Sequence, residues 1–173
     1  GYFAGGTSTS TTTAAHRIVF SSGVTSANTD SNISTARRYL VGVSDGATYG
    51  YFAGGDTSTP QTTVDRIVFS TSVTSANTDS TLVEAKRYLG GMSDGITNGY
   101  FSGGNSGGST KSTQKIVFST SVTSASTDSD LGVNTNHPSG SSDGATYGYM
   151  AGGDTGGNSV IANRMTFSTA VFA

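Results

Sequence analysis

Short apolar and aromatic runs alternate with glycine, serine and threonine along the chain, and the same order of runs returns every 49 residues. Ile67 and Phe69 alternate with Arg66 and Val68, which is the period of two expected of a β-strand. In the second unit the runs predict four short strands, over residues 50–53, 65–69, 73–76 and 87–92. The pattern therefore predicts an all-β fold built from one repeated unit.

The repeat keeps its register without insertion or deletion. Gly-Tyr-Phe-Ala-Gly-Gly at residues 1–6 returns at 50–55, and close variants begin at Gly99 and Gly148. The chain is thus predicted to be a single repeat domain, with units 1–49, 50–98 and 99–147 and a partial unit 148–173. The units differ most just after the double glycine, at residues 7–15, 56–64, 105–113 and 154–162.

A Ser-Asp-Gly turn separates the fourth strand of each unit from the next Gly-Tyr-Phe strand, at residues 44–46, 93–95 and 142–144. Asp-Gly between two strands is a strong hairpin signal. Four antiparallel strands in a unit of about 40 to 50 residues are typical of a β-propeller blade. The sequence predicts a β-propeller with about 3.5 to 4 blades per chain.

A strand ending in Gly-Gly, a variable loop, a strand ending in an aromatic residue and then arginine before the next strand together resemble the kelch repeat. The resemblance covers the whole chain in register. It implies that the Gly-Gly strand is the second of its blade, so that the first blade lacks its innermost strand. A kelch unit carries tryptophan seven residues beyond the aromatic residue, where this chain has Ala27, Ala76 and Ala125, and we expect a thinly packed outer strand.

A propeller must close, because an open stack leaves a bare blade face and unpaired strand edges. An eight-bladed symmetric dimer and a four-bladed monomer are both consistent closures, and a fragment of a longer chain is the third alternative. We favour the dimer, so the predicted partner is a second copy of this chain.

Composition narrows the classes of partner. Charged residues make up 12% of the chain and the formal net charge is -2, which provides no basic field for nucleic acid. The longest apolar stretch falls short of the roughly 18 residues that cross a bilayer, so no membrane partner is predicted. With no cysteine there is no thiolate metal site, and no cofactor is expected. The Gly/Ser/Thr-rich composition is similar to that of viral tail and surface-fibre proteins, which favours an extracellular or virion-associated location.

Two further motifs receive a structural interpretation. Gly42-Val43-Ser44-Asp45-Gly46 matches the nucleophile elbow of α/β-hydrolases, but it recurs in every complete unit between two strands, which indicates a hairpin turn with an Asx-type hydrogen bond. A recurring acidic context contributes one or two carboxylates per unit, too few for calcium, and no metal site is predicted. Its members are Asp30, Asp79, Asp128 and Asp130.

Basic and aromatic residues open the fourth strand of the first two units, on the face that also carries the variable loops. The third unit has Asn134-Thr135-Asn136-His137-Pro138 in the same register, which removes the positive charge. Guanidinium and tyrosine groups suit an acidic or sugar ligand. The candidate ligand-binding residues are Arg37, Arg38, Tyr39, Lys86, Arg87, Tyr88 and His137. The alternative, which we favour, is that the arginines tie blades together through carbonyl oxygens or aspartate-bearing loops.

The sequence thus predicts a non-catalytic structural or binding module that closes its ring with a second copy. The alternative is a glycan- or protein-binding fragment of a larger viral or surface-fibre protein. An enzyme is less favoured and no catalytic residue is assigned, because His137 alone breaks the repeat symmetry and the sequence supplies it with no partner.

Overall fold

The structure is a computed structural model that describes all residues, 1–173, and it contains four antiparallel β-sheets. Sheet 1 consists of β1 (Tyr2–Ala4), β2 (Ala15–Val19) and β3 (Val24–Ala27). Sheet 2 consists of β4 (Val41–Ser44), β5 (Tyr49–Ala53), β6 (Val64–Val68) and β7 (Val73–Ala76). Sheet 3 consists of β8 (Gly90–Ser93), β9 (Asn98–Ser102), β10 (Thr113–Val117) and β11 (Val122–Ala125). Sheet 4 consists of β12 (Ser139–Ser142), β13 (Tyr147–Ala151), β14 (Ala162–Thr166) and β15 (Val171–Phe172).

Each sheet is a meander in which consecutive strands are neighbours. The prediction of an all-β fold with short antiparallel strands is confirmed, as is the three-stranded first sheet. Helix is confined to two 3₁₀ turns, Thr29–Ser31 and Thr127–Ser129. No helix has the length and apolar character needed to cross a membrane.

The fourth strand of the unit begins later than predicted, at Gly90 rather than Arg87. Tyr88 has a φ of 61°, in the left-handed region, which interrupts any strand that includes it. Arg87 makes only an isolated bridge, to Asn105. The β6 strand likewise ends at Val68, one residue before the predicted Phe69.

The hydrophobic core lies between the sheets, because each sheet is too small to bury an apolar face alone. At every junction a tyrosine from one sheet stacks on a phenylalanine of the next, and we call this contact the Tyr–Phe pair. Its ring centroids are 5.8 Å apart for Tyr2 and Phe69, 5.7 Å for Tyr51 and Phe118, and 5.8 Å for Tyr100 and Phe167. The interplanar angles of 4°, 11° and 16° show that the stacking geometry repeats along with the sequence.

The tyrosine hydroxyls differ between the junctions. Tyr2 and Tyr51 share hydrogen bonds with Ser72 and Ser121 Oγ, at 2.7 and 2.8 Å. Tyr100 faces the register position of Ala170, which has no hydroxyl, and burial raises the pKa of Tyr100 to about 12. The stacked rings, rather than this hydrogen bond, are therefore the constant part of the junction.

The first strands of sheets 2, 3 and 4, β4, β8 and β12, pack against one another in order, and we call them the inner strands. A Cβ on Gly91 would lie 2.6 Å from Val41 Cγ2, and one on Gly140 would overlap the carbonyl oxygen of Gly91. These two glycines allow the strands to approach closely. Sheet 1 has no such strand, and an open cleft of about 790 Å³ lies between its edge and the inner strands.

Candidate functional site

Arg37 is fully buried and holds the loop that follows β5. Its Nε–H donates to the carbonyl oxygen of Gly54 (2.7 Å), and Nη2–H donates to that of Phe52 (3.0 Å). Its Nη1 lies 2.6 Å from Oδ2 of Asp65, whose side chain is also fully buried. The side chain of Arg37 is thus bonded to protein groups, and all of them belong to sheet 2, so it holds one sheet together rather than joining two.

Lys86 lies 49 residues after Arg37 and is buried in the same way. Its Nζ donates to the carbonyl oxygen of Ser112 (2.7 Å) and lies 3.4 Å from Glu84 Oε2. Burial lowers the pKa of Lys86, and the attraction of Glu84 opposes that shift without cancelling it. The corresponding residue of the third unit is the buried, uncharged Thr135, so the tie to protein groups changes chemistry from one unit to the next.

Arg38 and Arg87 reach the same carboxylate. Asp56, in the variable loop after β5, lies 2.7 Å from Arg87 Nη1 and 3.8 Å from Arg38 Nη2 through its Oδ2 atom. Burial acts to raise the pKa of Asp56, but hydrogen bonds from Arg87 and the Ser58 backbone N–H, together with both positive charges, hold it below its ordinary value. The carboxylate links the variable loop of sheet 2 to the approach of β8 in sheet 3.

The rings of Tyr39, Tyr88 and His137 contact one another in sequence, with interplanar angles of 46° and 34°, and we call this set the aromatic row. The ring centroids are 4.4 Å apart for the first pair and 3.9 Å for the second. Backbone hydrogen bonds of 3.0 Å join the row, from Tyr88 N–H to the Tyr39 carbonyl and from His137 N–H to the Tyr88 carbonyl. All three residues have positive φ, between 53° and 61°. Sequence spacing alone suggested equivalent positions, and the structure brings them into contact.

The row is a surface feature with two guanidinium groups beside it. Tyr39 and His137 are exposed and Tyr88 is half-buried. The Cζ atom of Arg38 lies 4.8 Å from the Tyr39 ring centroid, and that of Arg87 lies 5.2 Å from the Tyr88 centroid. Five of the candidate residues have accessible atoms on one surface, which we call the rim: Arg38, Tyr39, Arg87, Tyr88 and His137. Arg37 and Lys86 are buried beneath it.

The Gly-x-Ser-x-Gly motif is a hairpin turn, as predicted. Asp45 Oδ1 accepts three backbone N–H groups, from Ala47 (2.9 Å), Thr48 (2.7 Å) and Tyr49 (2.9 Å). Asp94 and Asp143 accept the same three bonds in their own units. The backbone donors lower the pKa of Asp143, because they stabilise its charged form. The turn requires the Asp and Gly side by side, which explains the recurrence of the motif.

The acidic residues are spread over local contacts. Asp130 Oδ1 accepts the N–H of Thr113 (2.8 Å), and Asn32 does the same for Ala15 (2.9 Å) in the first unit. Asp79 lies 3.9 Å from Arg66. No group of three or more His, Cys, Asp or Glu side chains converges in a way that could hold a metal ion.

Two carboxylates that organise the rim and its support were missed as site residues. The sequence places Asp56 in a loop that is marked only by its variability, and it places Asp65 within a predicted strand. The sequence did contain a signal for Asp65. Of the four equivalent repeat positions only this one carries a carboxylate, since the others are His16, Gln114 and Asn163, and Arg37 lies just before the unit that contains Asp65. The double role of Asp56 depends on contacts between sheets, which a single unit does not reveal.

No protein-family model matches the chain, and no curated protein is similar to it.

Proposed function

We propose that the four sheets are blades of a kelch-like β-propeller, and that the chain is a non-catalytic structural or binding module. Support comes from the four-stranded meanders, from inner strands that pack in order, and from junctions that repeat the same Tyr–Phe pair. A scaffold that repeats while its loops diverge is a common way to build a binding surface.

The ring closes, in this proposal, by association with a second copy to give eight blades. The observation that carries it is the open edge of sheet 1: β5, β9 and β13 each have an inner strand paired to them, and β1 has none. Open edges and uncovered sheet faces favour association. Light scattering over a concentration series tests the idea, with twice the 17.4 kDa chain mass expected and a constant single-chain mass contradicting it.

A non-catalytic role is supported by the structural contacts that the serine and histidine side chains of the candidate motifs make. Ser44 and its equivalents belong to hairpin turns, and His137 packs on Tyr88. A hydrolase screen with His137→Ala as the comparison tests this part. An activity of the wild-type chain that His137→Ala removes would contradict it.

The second candidate is binding of a glycan or an acidic protein segment at the rim, whether in this module alone or in a larger viral or surface-fibre protein. The observation that favours it is the aromatic row with guanidinium groups over two of its rings. Stacking on tyrosine and bidentate bonds from arginine suit sugars and carboxylates.

A glycan array with neutral and sialylated oligosaccharides tests this candidate with Tyr39→Ala. The matched control is Tyr147→Ala, since Arg164 lies 4.9 Å above the Tyr147 ring at a site outside the row. Loss of binding in Tyr39→Ala alone supports the rim. Equal binding by both variants and the wild type, or none by any, would exclude it.

A further inference from the structure

The Tyr–Phe pair has one unpaired member at each end of the sheet stack. Phe20 is the repeat equivalent of Phe69, Phe118 and Phe167. Phe20 is 82% exposed, whereas Phe118 is 3% exposed. At the other end Tyr149 is 41% exposed, whereas its equivalent Tyr100 is 1% exposed. Sheet 1 therefore exposes a phenylalanine without its tyrosine, and sheet 4 exposes a tyrosine without its phenylalanine.

The residues around these two rings follow the same rule. Phe3, beside Phe20 on sheet 1, is 63% exposed, while its equivalents Phe52, Phe101 and Met150 are buried. On sheet 4, Ala151 is exposed, while its equivalent Ala53 is fully buried. We call the first surface the Phe20 face (Phe3, Ile18 and Phe20) and the second the Tyr149 face (Tyr149 and Ala151).

We propose that the Tyr149 face of one copy docks on the Phe20 face of a second copy, with Tyr149 stacked on Phe20 as in the three internal pairs. This deepens the proposed self-association and rests on it. The contact joins two different faces, so a second, identical contact is available between the remaining faces. Two such contacts related by a two-fold axis give a closed ring of eight sheets.

The polar groups at the contact fit this arrangement. Ser72 and Ser121 form hydrogen bonds with tyrosine hydroxyls at the internal junctions. The equivalent residue of sheet 1 is Gly23, which has no hydroxyl. Tyr100 already packs opposite a residue without a hydroxyl, Ala170, and still stacks on Phe167. The turn around Gly23 carries only serine and glycine, so no charge opposes Arg164, whose equivalents Arg17 and Arg66 point to the next sheet.

Sedimentation equilibrium with Phe20→Ser and Tyr149→Ser tests the contact. The matched control is Val24→Ser, because Val24 and its equivalents Val73, Val122 and Val171 are exposed in every sheet and lie outside the junctions. We expect either face variant to weaken self-association roughly tenfold or more, since each removes a central aromatic side chain. Val24→Ser should associate like the wild type.

Three outcomes separate this inference from the proposal beneath it. Association that is lost in both face variants and kept in the control supports the inference. Association of the wild type that both face variants retain overturns the inference and leaves self-association standing. A wild-type chain of single mass at every concentration overturns both.

Cysteine trapping tests the direction of the contact, because the natural chain has no cysteine to interfere. A mixture of chains carrying Phe20→Cys and Tyr149→Cys should form a disulfide-linked dimer under mild oxidation. Each variant alone should form far less of it. Efficient trapping of Phe20→Cys with itself would show that like faces pair, and would overturn the proposed head-to-tail contact.

Discussion

The buried pair of Arg37 and Asp65 holds its place because all of its partners are supplied by the protein. Arg37 donates to two carbonyl oxygens and faces one carboxylate, and neither side chain reaches solvent. Removing two charges from water costs nearly as much as their attraction returns, so the intact pair adds little net stability. Breaking the pair is different, because one charge then stays buried without its partner.

We therefore predict that Arg37→Met destabilises the chain by about 3–5 kcal/mol, the usual effect of leaving a buried charge unpaired. The double variant Arg37→Met, Asp65→Leu should recover a large part of that loss, since it removes the orphaned carboxylate as well. Urea denaturation of the two single variants and the double variant measures both effects. Losses that simply add in the double variant would contradict a direct pairing of these residues.

Asp56 ties the rim together in a way that depends on pH. Its pKa in the folded chain lies below the ordinary value of 3.8, so the unfolded chain binds the proton more readily. The stabilising contribution of the carboxylate is therefore complete above that ordinary value, and it is lost as the pH falls through the folded pKa. The sign follows from the charged form being the one that the two arginines favour.

Asp56→Asn should accordingly lower the free energy of unfolding by about 1.5–3 kcal/mol near neutral pH, the range for hydrogen bonds to charged groups. The difference from the wild type should shrink as the pH is lowered towards about 2. The control is Asp154→Asn, the equivalent exposed residue of sheet 4, which accepts a backbone bond from Gly156 but has no ion pair. If the free energy of unfolding of Asp56→Asn stays below that of the wild type by a constant amount from about pH 7 to about pH 2, the ion-pair explanation is wrong.

Among the structural elements, the short segment before each inner strand departs most from simple strand geometry. Positive φ at Tyr39, Tyr88 and His137 costs about 1–2 kcal/mol per residue for non-glycine side chains. The backbone bonds along the aromatic row and the contacts between its tilted rings offset that cost. The segment therefore ends the loop, turns the chain into the inner strand and aligns one ring per sheet.

The inner strands should tolerate added volume unequally. A methyl group on Gly140 would meet the backbone of Gly91, whereas the nearest atoms to a methyl group on Gly42 lie 3.7 Å away, an ordinary contact. We predict that Gly140→Ala destabilises by about 1–3 kcal/mol, as overpacking does, and that Gly42→Ala is close to neutral. Denaturation midpoints of the two variants provide the comparison. Equal effects would mean that β8 and β12 do not approach as closely as described.

These elements also show where sequence reasoning succeeds and where it ends. The 49-residue register gave the pairing order of the strands, because hairpin turns and period-two runs are local signals. The late start of β8, beyond the left-handed Tyr88, was not predicted, since a tyrosine in the left-handed region has no local signature. Asp56 was not predicted for another reason. Arg38, 18 residues away along the chain, meets it across an antiparallel bridge within sheet 2, and Arg87, 31 residues away, comes close only because sheets 2 and 3 pack together.

For the molecule as a whole, stability comes from contacts between neighbouring sheets. Four of the five residues are buried in β5 and in β9, whose sheets are covered on both faces. Only two of five are buried in β13, and none of the three in β1. In a linear stack each unit is stabilised by its neighbours, so the end units hold the least stability.

Hydrogen exchange should follow this gradient. At low concentration we expect the slowest exchange in β5 and β9, and faster exchange in β1 and β13, because local opening of an end sheet exposes less apolar surface. If the two end faces dock between copies, raising the concentration should slow exchange in β1 and β13 together. The outer strands β7 and β11 are the internal control, since they lie away from the end faces. Exchange in β1 as slow as in β9 at the lowest concentration would contradict the gradient, because sheet 1 has a neighbour on only one face.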